Sequence, residues 1–299
     1  MHTVRSTTND LPRNYWRWLG IWNPQAQLAF DWACKQFPGE IQRRGVARAY
    51  YDSLWVLGET LRVLPNGPRN INILDVGCGA GVHSIALRHL GANVTALDRF
   101  NEYEDDYDNQ MGSVHDIVAR FQANGITVQR QDFVSGGLPQ ESEKYDLILF
   151  LAVIEHLHES PKAVLESMYR LLKPGGHVVI TTPNHAWLRT RLRLLVGRSA
   201  HHPLEEWWQT PFYGHVREYT LPELTTMLRW SNFDVRTAKI SSWWHASSRI
   251  RSSIAGGTEH WTTRLTLNSP ERLVVAASLL VSALIPSLRY NLLAIGRKP

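Results

Sequence analysis

The chain has little cysteine and no apolar run long enough to cross a bilayer. Its 299 residues include only Cys34 and Cys78 as cysteines, too few for a disulfide framework or a four-ligand zinc site. This content favours a reducing cytoplasm. The longest apolar run, Leu273–Pro286, is shorter than the roughly 20 residues of a spanning helix, and the polar segment Met1–Asp10 lacks the apolar centre of a secretory signal. The sequence therefore predicts a soluble protein, held at most on a membrane surface.

Dense blocks of basic residues are also missing. Lysine and arginine total 32 against 27 acidic residues, for a formal charge of +5. Without such blocks, and without a recognisable RNA-binding module, this modest excess disfavours nucleic acid as the partner. With 43% hydrophobic residues, the chain can bury a sizeable core, and one catalytic domain with additions fits best.

The first part of the chain has aromatic and aliphatic residues at helical spacing. Two groups share a helix face each: Trp18, Ile21 and Trp22, then Tyr51, Leu54 and Trp55. The sequence therefore predicts a helical N-terminal cap over residues 1–68, which ends at the break Pro65-Asn66-Gly67-Pro68. Residues 69–299 form the second predicted unit, with insertions at 185–218 and 241–286.

Behind this break, short apolar runs alternate with amphipathic segments, the pattern of an α/β protein with a doubly wound, mostly parallel sheet. Seven strands are predicted at Ile71–Val76, Asn93–Leu97, Thr127–Gln131, Tyr145–Leu151, His177–Thr182, Phe233–Ile240 and Leu288–Arg297. Helices are predicted at Gly81–Leu90, Ser113–Asn124, Pro161–Leu172 and Leu221–Trp230.

The first predicted strand runs directly into Gly77-Cys78-Gly79-Ala80-Gly81 and then into a helix. Glycines let a backbone approach a ligand closely, and a helix N-terminus directs amide groups at an anion. This arrangement predicts a nucleotide-like ligand. The dinucleotide fingerprint requires another glycine where this chain has Val82, which disfavours NAD.

Acidic residues end the next two predicted strands. Asp98 follows the glycine-rich turn by about 20 residues, the spacing at which a carboxylate accepts hydrogen bonds from ribose hydroxyls. At the end of the third strand, the Asp132 carboxylate can take an adenine amino group and the Phe133 ring can lie against the base. The alternative for Asp98 is a strand-end turn residue or a helix cap.

Four motifs occur in an order that resembles the class I S-adenosylmethionine (SAM)-dependent methyltransferases. They are Ile73–Gly81, Asp98, Tyr145–Ile148 leading to Ile154–Leu157, and Leu172–Gly176. The chain is most similar to the small-molecule branch that includes the ubiquinone-biosynthesis O-methyltransferases, over about residues 71–240. The resemblance implies SAM as the cofactor and a Rossmann-like fold.

The resemblance also implies roles for single residues. It assigns Gly77 and Gly79 to the methionine end of SAM, Asp98 to the ribose, Asp132 to the adenine and Leu151 to the pocket wall. Together with the strand-end argument, the predicted cofactor-binding residues are Asp75, Gly77, Gly79, Gly81, Asp98, Asp132, Phe133 and Leu151.

Several acceptor chemistries are disfavoured by the residues directly after the fourth strand. The branch that methylates exocyclic amines of bases or glutamine has an Asn/Asp-Pro-Pro-aromatic signature there, whereas this chain has Leu151–His156. Neither cysteine lies in a Pro-Cys pair at that strand end, which disfavours covalent attack on a pyrimidine. The acid and amide trio of the metal-dependent catechol type is not found, so no divalent metal is expected.

Methyl transfer from a sulfonium requires the enzyme to position the nucleophile, exclude water and remove a proton from a hydroxyl. Histidine is the usual base, and the candidates near strand ends are His156, His185 and His215. We favour His215, because it lies where the first insertion returns to the core. The alternative is that Glu155 and His156 cap a helix and that His215 bonds a backbone carbonyl.

The acceptor is expected to be a small molecule or a lipid-linked one, methylated at a hydroxyl oxygen. Leu188, Leu192 and Leu195 share a helix face, while Arg189, Arg191, Arg193 and Arg198 crowd elsewhere. With the apolar segment Leu273–Ile285, they predict peripheral contact with an anionic bilayer. The alternative is that the leucines pack on the sheet and the arginines are solvated.

Other functions stay open from the sequence alone. They are N- or S-methylation of a small metabolite, methylation of RNA or protein, and a non-catalytic SAM-binding subunit. The last requires a degenerate cofactor loop, and this loop is intact. The sequence does not predict the oligomeric state.

Overall fold

The computed structural model describes residues 23–37, 50–100, 113–134, 137–201, 203–208, 212, 214–241, 281 and 284–299. The α-helices in these ranges are α1 Pro24–Cys34, α2 Tyr50–Arg62, α3 Val82–His89, α4 Val114–Ala123, α5 Lys162–Leu171, α6 Leu188–Leu195, α7 Leu204–Trp207 and α8 Leu221–Trp230. The strands are β1 Asn72–Val76, β2 Asn93–Asp98, β3 Thr127–Arg130, β4 Tyr145–Leu151, β5 Leu172–Pro183, β6 Asp234–Ser241 and β7 Asn291–Arg297. Single 3₁₀ turns cover Ile154–His156 and Pro286–Leu288.

The strands form one seven-stranded sheet in the order β3-β2-β1-β4-β5-β7-β6. Strand β7 is antiparallel to both of its neighbours, and the other strands are parallel to one another. The order reverses between β1 and β4, and ligands bind in such sheets at the carboxyl ends of the strands beside the reversal. The predicted α/β fold with a doubly wound, mostly parallel sheet is confirmed.

Strand boundaries differ from the predicted ones by more than one residue at two places. Strand β5 begins at Leu172, directly after α5, because Leu172 already pairs with Tyr145 before the register shifts. Strand β7 begins at Asn291, since the residues before it form the 3₁₀ turn Pro286–Leu288.

The inner strands β1, β2, β4, β5 and β7 bury side chains on both faces of the sheet, because successive residues point in opposite directions. On one face, Ile73 of β1 belongs to a core with α1 to α4 that includes Phe30, Ile85 and Phe121. On the other face, Leu74 belongs to a core with α5 and α8. Two helical layers therefore enclose the sheet and fix where its carboxyl ends lie.

The two described N-terminal helices belong to the first of these cores. Helix α1 begins after Asn23, whose Oδ1 accepts a hydrogen bond from the Ala26 backbone N–H (3.0 Å). Its Trp32 ring stacks on His89 of α3, with ring centroids 4.1 Å apart, so α1 lies against the helix that follows the glycine-rich turn. Residues 18, 21 and 22 lie outside the described residues, and the division of the chain at residue 68 stays a prediction.

The first insertion leaves and returns to the sheet at one place. The His185 backbone N–H donates to the carbonyl of Tyr219 (2.9 Å), and buried Asn184 forms a bridge with Tyr219. Helices α6 and α7 lie between these ends. Most of the second predicted insertion, 241–286, lies outside the described residues, as does most of the predicted apolar helix Leu273–Ile285. A helix with the length and hydropathy to cross a bilayer is not found in the part of the chain that the structure describes.

Candidate active site

The glycine-rich turn after β1 has a backbone that only glycine adopts easily. Gly77, Gly79 and Gly81 have φ values of 70°, 53° and 81°, in the left-handed region. A Cβ on Gly81 would lie 1.9 Å from Cε1 of Phe121, and one on Gly77 would lie 2.6 Å from Cγ2 of Val153. The turn is therefore closed in by neighbouring side chains and cannot accept a larger residue at these positions.

Asp98 connects this turn to the end of β2. The Gly79 backbone N–H donates to Asp98 Oδ2 (2.9 Å), and the Phe100 backbone N–H donates to Oδ1 (2.9 Å). Each oxygen accepts one backbone hydrogen bond and keeps acceptor capacity for a ligand hydroxyl. The carboxylate thus has the strand-end turn role and also lies against the turn that would face a cofactor.

Asp75 lies beneath the turn and is nearly fully buried. Ser84 Oγ of α3 donates to Asp75 Oδ2 (2.7 Å), so this carboxylate joins β1 to the helix after the turn. Burial raises the pKa of Asp75 to about 7, although the Ser84 hydrogen bond opposes that shift. Burial also raises the pKa of the Cys78 thiol. The hydrogen bond between Asp75 and Ser84 therefore supports the turn, of which Cys78 is a part.

The third strand contributes less than its sequence suggested. Val134 donates its backbone N–H to Asp132 Oδ1 (3.0 Å), which closes a turn at the strand end. The Phe133 ring is buried and packs edge-on against Phe150, with centroids 6.1 Å apart. Leu151, half-buried at the end of β4, packs against the other core. The contact of Phe133 with a base therefore stays a prediction.

A second group of functional side chains lies directly after β4. Val153, which covers Gly77, precedes the 3₁₀ turn Ile154–His156. The backbone carbonyl of Glu155 accepts hydrogen bonds from the N–H groups of Val216 (2.7 Å) and Arg217 (3.2 Å). These bonds hold the returning end of the first insertion against the turn beside the glycine-rich loop.

Three histidines meet as a result. The rings of His156 and His215 pack edge to face, with centroids 4.9 Å apart. Nδ1 of His215 lies 2.9 Å from Glu218 Oε1, and Nδ1 of His185 lies 3.9 Å from Glu218 Oε2. All three histidines named from the sequence therefore converge, but Glu218 was missed. The sequence signal that could have found it is the three-residue spacing between His215 and Glu218.

The His215–Glu218 pair has the geometry of an oriented imidazole. An ionised carboxylate only accepts hydrogen bonds, so neutral His215 must place its proton on Nδ1 and keep the Nε2 lone pair. If His215 gains a second proton, the same carboxylate stabilises the positive charge. This arrangement can accept a proton from a ligand.

Glu155 places a buried carboxyl next to this pair. Its side chain is 1% exposed, and its Oε2 has no hydrogen-bond partner in the described part of the chain. Burial raises the pKa of Glu155 to about 7, and the charge of His215 opposes that rise. Glu155 is therefore able to change its charge near neutral pH.

The same residues form a set of possible metal ligands. Ligand atoms of Glu155, His156 and His215 all lie within 4.8 Å of one another. Imidazole and carboxylate are the donors of zinc and related transition metals. The sequence predicted no metal, and this set shows that the described residues could hold one.

Comparisons with known proteins identify the family. A family model described as a methyltransferase domain matches residues 48–238, more than half of the chain. The chain therefore belongs to the class I SAM-dependent methyltransferases, and its cofactor is SAM. The predicted family and cofactor are confirmed.

The curated relatives of this chain include ubiquinone biosynthesis O-methyltransferases. The ubiquinone biosynthesis O-methyltransferase of Actinobacillus pleuropneumoniae serotype 7 is 32% identical over 139 residues, covering 44% of this chain and 53% of the relative. That of Proteus mirabilis is 35% identical over 121 residues, covering 38% and 44%. The chain spans about half the length of the curated relatives it matches.

Solved structures support the fold. A protein from Galdieria sulphuraria, thought to be a sarcosine dimethylglycine methyltransferase, has a TM-score of 0.53 at 18% identity over 85% of this chain and 88% of that one. Phosphoethanolamine N-methyltransferase 2 of Haemonchus contortus has a TM-score of 0.50 at 17% identity over 81% and 53%. At this identity the likeness shows the fold alone.

Proposed function

We propose that this enzyme transfers the methyl group of SAM to a hydroxyl oxygen of a small molecule, free or lipid-linked. The observation that carries this proposal is the His215–Glu218 pair, with Nδ1 and Oε1 2.9 Å apart, beside the glycine-rich turn. A hydroxyl is a weak nucleophile until a base removes its proton, whereas a neutral amine attacks without that step. An oriented histidine at this place therefore favours oxygen.

The residues at the carboxyl ends of β1 and β2 fit the cofactor. Gly77 and Gly79 leave room for its methionine end, Asp98 has acceptor capacity for ribose hydroxyls, and Asp132 is assigned to adenine. Asp75 and Gly81 shape the turn from below. Bound SAM supplies a methyl group activated by the positive sulfonium.

The acceptor side of the mechanism uses the histidine cluster. His215 Nε2 takes the proton of the acceptor hydroxyl, and Glu218 stabilises the resulting imidazolium. His156, the second proposed catalytic residue, restricts the His215 ring through their edge-to-face contact. Glu155 fixes the loop that carries His215 through its backbone carbonyl.

The names of the curated relatives support the acceptor class. Several are ubiquinone biosynthesis O-methyltransferases, a name that describes O-methylation in the synthesis of ubiquinone. A lipid-linked acceptor requires the enzyme to reach a bilayer surface, so we include peripheral membrane contact in the proposal. A cytoplasmic location stays a prediction from the cysteine content.

The test compares His215→Ala with His115→Ala, which removes an exposed histidine of α4. Each variant receives methyl-labelled SAM and a host metabolite and lipid extract, and label incorporation is followed with time. We expect a roughly 10²- to 10⁴-fold slower rate for His215→Ala alone, the usual contribution of a general base. Both variants should bind S-adenosylhomocysteine as the wild type does. Near-normal labelling by His215→Ala would remove the proposed base.

A further inference from the structure

We propose that an exposed face of the first insertion docks on anionic phospholipid bilayers. We call this face the α6–α7 surface. Its apolar members are Leu192, Leu194, Leu195, Val196, Leu204, Trp207 and Trp208. Its basic members are Arg189, Arg191, Arg193 and Arg198. This proposal rests on the proposed function in one respect: an enzyme with a lipid-linked acceptor has to reach a bilayer.

The leucine face of α6 points away from the sheet. Leu192 is 46% exposed and Leu195 is 81% exposed, whereas Thr190 on the opposite side is 4% exposed. Packing on the sheet, the alternative considered from the sequence, is therefore wrong for Leu192 and Leu195, whereas Leu188 at the start of the helix is half-buried. An amphipathic helix normally turns its apolar face inward, and this helix does the reverse.

The apolar exposure continues beyond α6. Trp208 is 81% exposed and Leu204 is 67% exposed, and the Trp207 ring packs against Phe212 with centroids 4.7 Å apart. So many large apolar side chains exposed within residues 188–208 favour an interaction site. Tryptophan and leucine together are typical of segments that lie in a membrane interface.

The charge of the surface selects the partner. Residues 188–200 contain four arginines and no acidic residue, and none of these guanidinium groups forms an ion pair within the described ranges. Arg191 and Arg193 each donate one Nε–H to a backbone carbonyl, of Ala186 (2.6 Å) and Ser199 (2.8 Å). Their remaining N–H groups stay available for phosphate oxygens.

Glu205 and Glu206 of α7 reduce the excess of positive charge but do not cancel it. Residues 188–208 still carry four arginines against two acidic residues. Each arginine near an anionic lipid surface contributes about 1 kcal/mol, which is about fivefold in binding. Apolar side chains supply the remainder by entering the headgroup region. An anionic bilayer matches both features of the surface.

The experiment measures flotation of the full chain with vesicles of phosphatidylcholine and phosphatidylglycerol, and with phosphatidylcholine vesicles alone. Two variants remove the proposed contacts: Leu192→Ser with Leu195→Ser, and Arg189→Gln with Arg198→Gln. The matched control is Arg229→Gln with Trp230→Ser on α8, where Trp230 is 80% exposed. None of these residues belongs to the catalytic or cofactor groups.

We expect salt-sensitive binding of the wild type to anionic vesicles only. Each surface variant should bind them at least about tenfold more weakly, while the control binds like the wild type. Failure of the wild type to bind, or unchanged binding by both surface variants, would overturn the proposal. So would a change in oligomeric state with unchanged vesicle binding, because the face would then join two copies of this chain.

The readouts separate this proposal from the enzyme's proposed reaction. The surface variants should bind S-adenosylhomocysteine and methylate water-soluble extract components at the wild-type rate. Normal flotation by His215→Ala with lost turnover would concern the reaction alone. A surface variant that no longer floats with vesicles, but still methylates soluble components normally, would support the docking surface and leave the proposed reaction unaffected.

Discussion

The two sides of the candidate active site are built in different ways. The cofactor side consists of a short continuous segment, Gly77–Gly81, and the ends of adjacent strands, joined by backbone hydrogen bonds to Asp98. The acceptor side joins a turn after β4 to residues 215–218, which lie some sixty positions later in the chain and are held there by the carbonyl of Glu155. The cofactor side is therefore built from local contacts, whereas the acceptor side depends on where an insertion returns.

Gly81→Ala should break the cofactor side most strongly. The new Cβ would overlap the Phe121 ring at 1.9 Å in a left-handed backbone, so the turn or α4 must move. We expect at least about 100-fold weaker binding of S-adenosylhomocysteine by calorimetry, with lower stability from overpacking of about 1–3 kcal/mol.

Gly67→Ala is the matched control for this substitution. Its φ is +71°, but no atom lies within 4 Å of the new Cβ. It should cost only the left-handed backbone strain of about 1–2 kcal/mol and leave ligand binding unchanged. Equal loss of binding in both variants would contradict the closed turn.

Each side of the site contains one buried carboxyl, Asp75 or Glu155, and each should make stability depend on pH. The pKa values of Asp75 and Glu155 are raised to about 7 from ordinary values near 4. A raised pKa means that the folded state holds the proton more tightly than the unfolded state does. The resulting contribution to the free energy of unfolding is present below pH 4 and is lost as the pH rises to about 7.

Asp75→Asn and Glu155→Gln should each reduce the loss of stability with rising pH. We expect the difference in unfolding free energy between wild type and variant to change by on the order of 1–3 kcal/mol between pH 4.5 and pH 7.5. Urea unfolding at several pH values measures it. A pH-independent difference would contradict the burial of that carboxyl.

The smallest effect is expected for a substitution on the acceptor side. Glu218→Gln keeps the size of the side chain but removes the charge that stabilises an imidazolium on His215, so kcat should fall about tenfold, the loss of about one charged hydrogen bond. KM for SAM should stay near its normal value, because the cofactor side is intact. Glu223→Gln, which changes the cap of α8, is the control for a merely structural effect.

The positions of the glycine-rich turn and of Asp98 could be predicted from the sequence because the rules for them are local. A glycine-rich turn between a strand and a helix, and an acid at the next strand end, are readable from spacing. The direction of a side chain at a strand end cannot be read in this way. The Phe133 ring packs on Phe150, and its contact with a base stays a prediction. The support of the turn by Ser84 also needed the tertiary structure.

The acceptor side was harder to predict because it depends on contacts between distant segments. His156, His185 and His215 were named separately. Their meeting follows from the hydrogen bonds that the Glu155 carbonyl accepts from residues 216 and 217, and from the bond between His185 and Tyr219. Glu218 became visible only through its distances to two of them. The outward direction of Leu192 and Leu195 was likewise open, since helical spacing gives a face but not what it contacts.

The central claim is that the acceptor atom is oxygen, and the most direct measurement is the identity of the methylated atom. The wild-type enzyme is incubated with methyl-labelled SAM and host extract, with Gly81→Ala as a background control, and the labelled product is purified for mass spectrometry and NMR. We predict a methyl ether on a small hydroxyl compound, enriched in the organic phase if the acceptor is lipid-linked. Label on nitrogen, sulfur, RNA or protein would contradict the account.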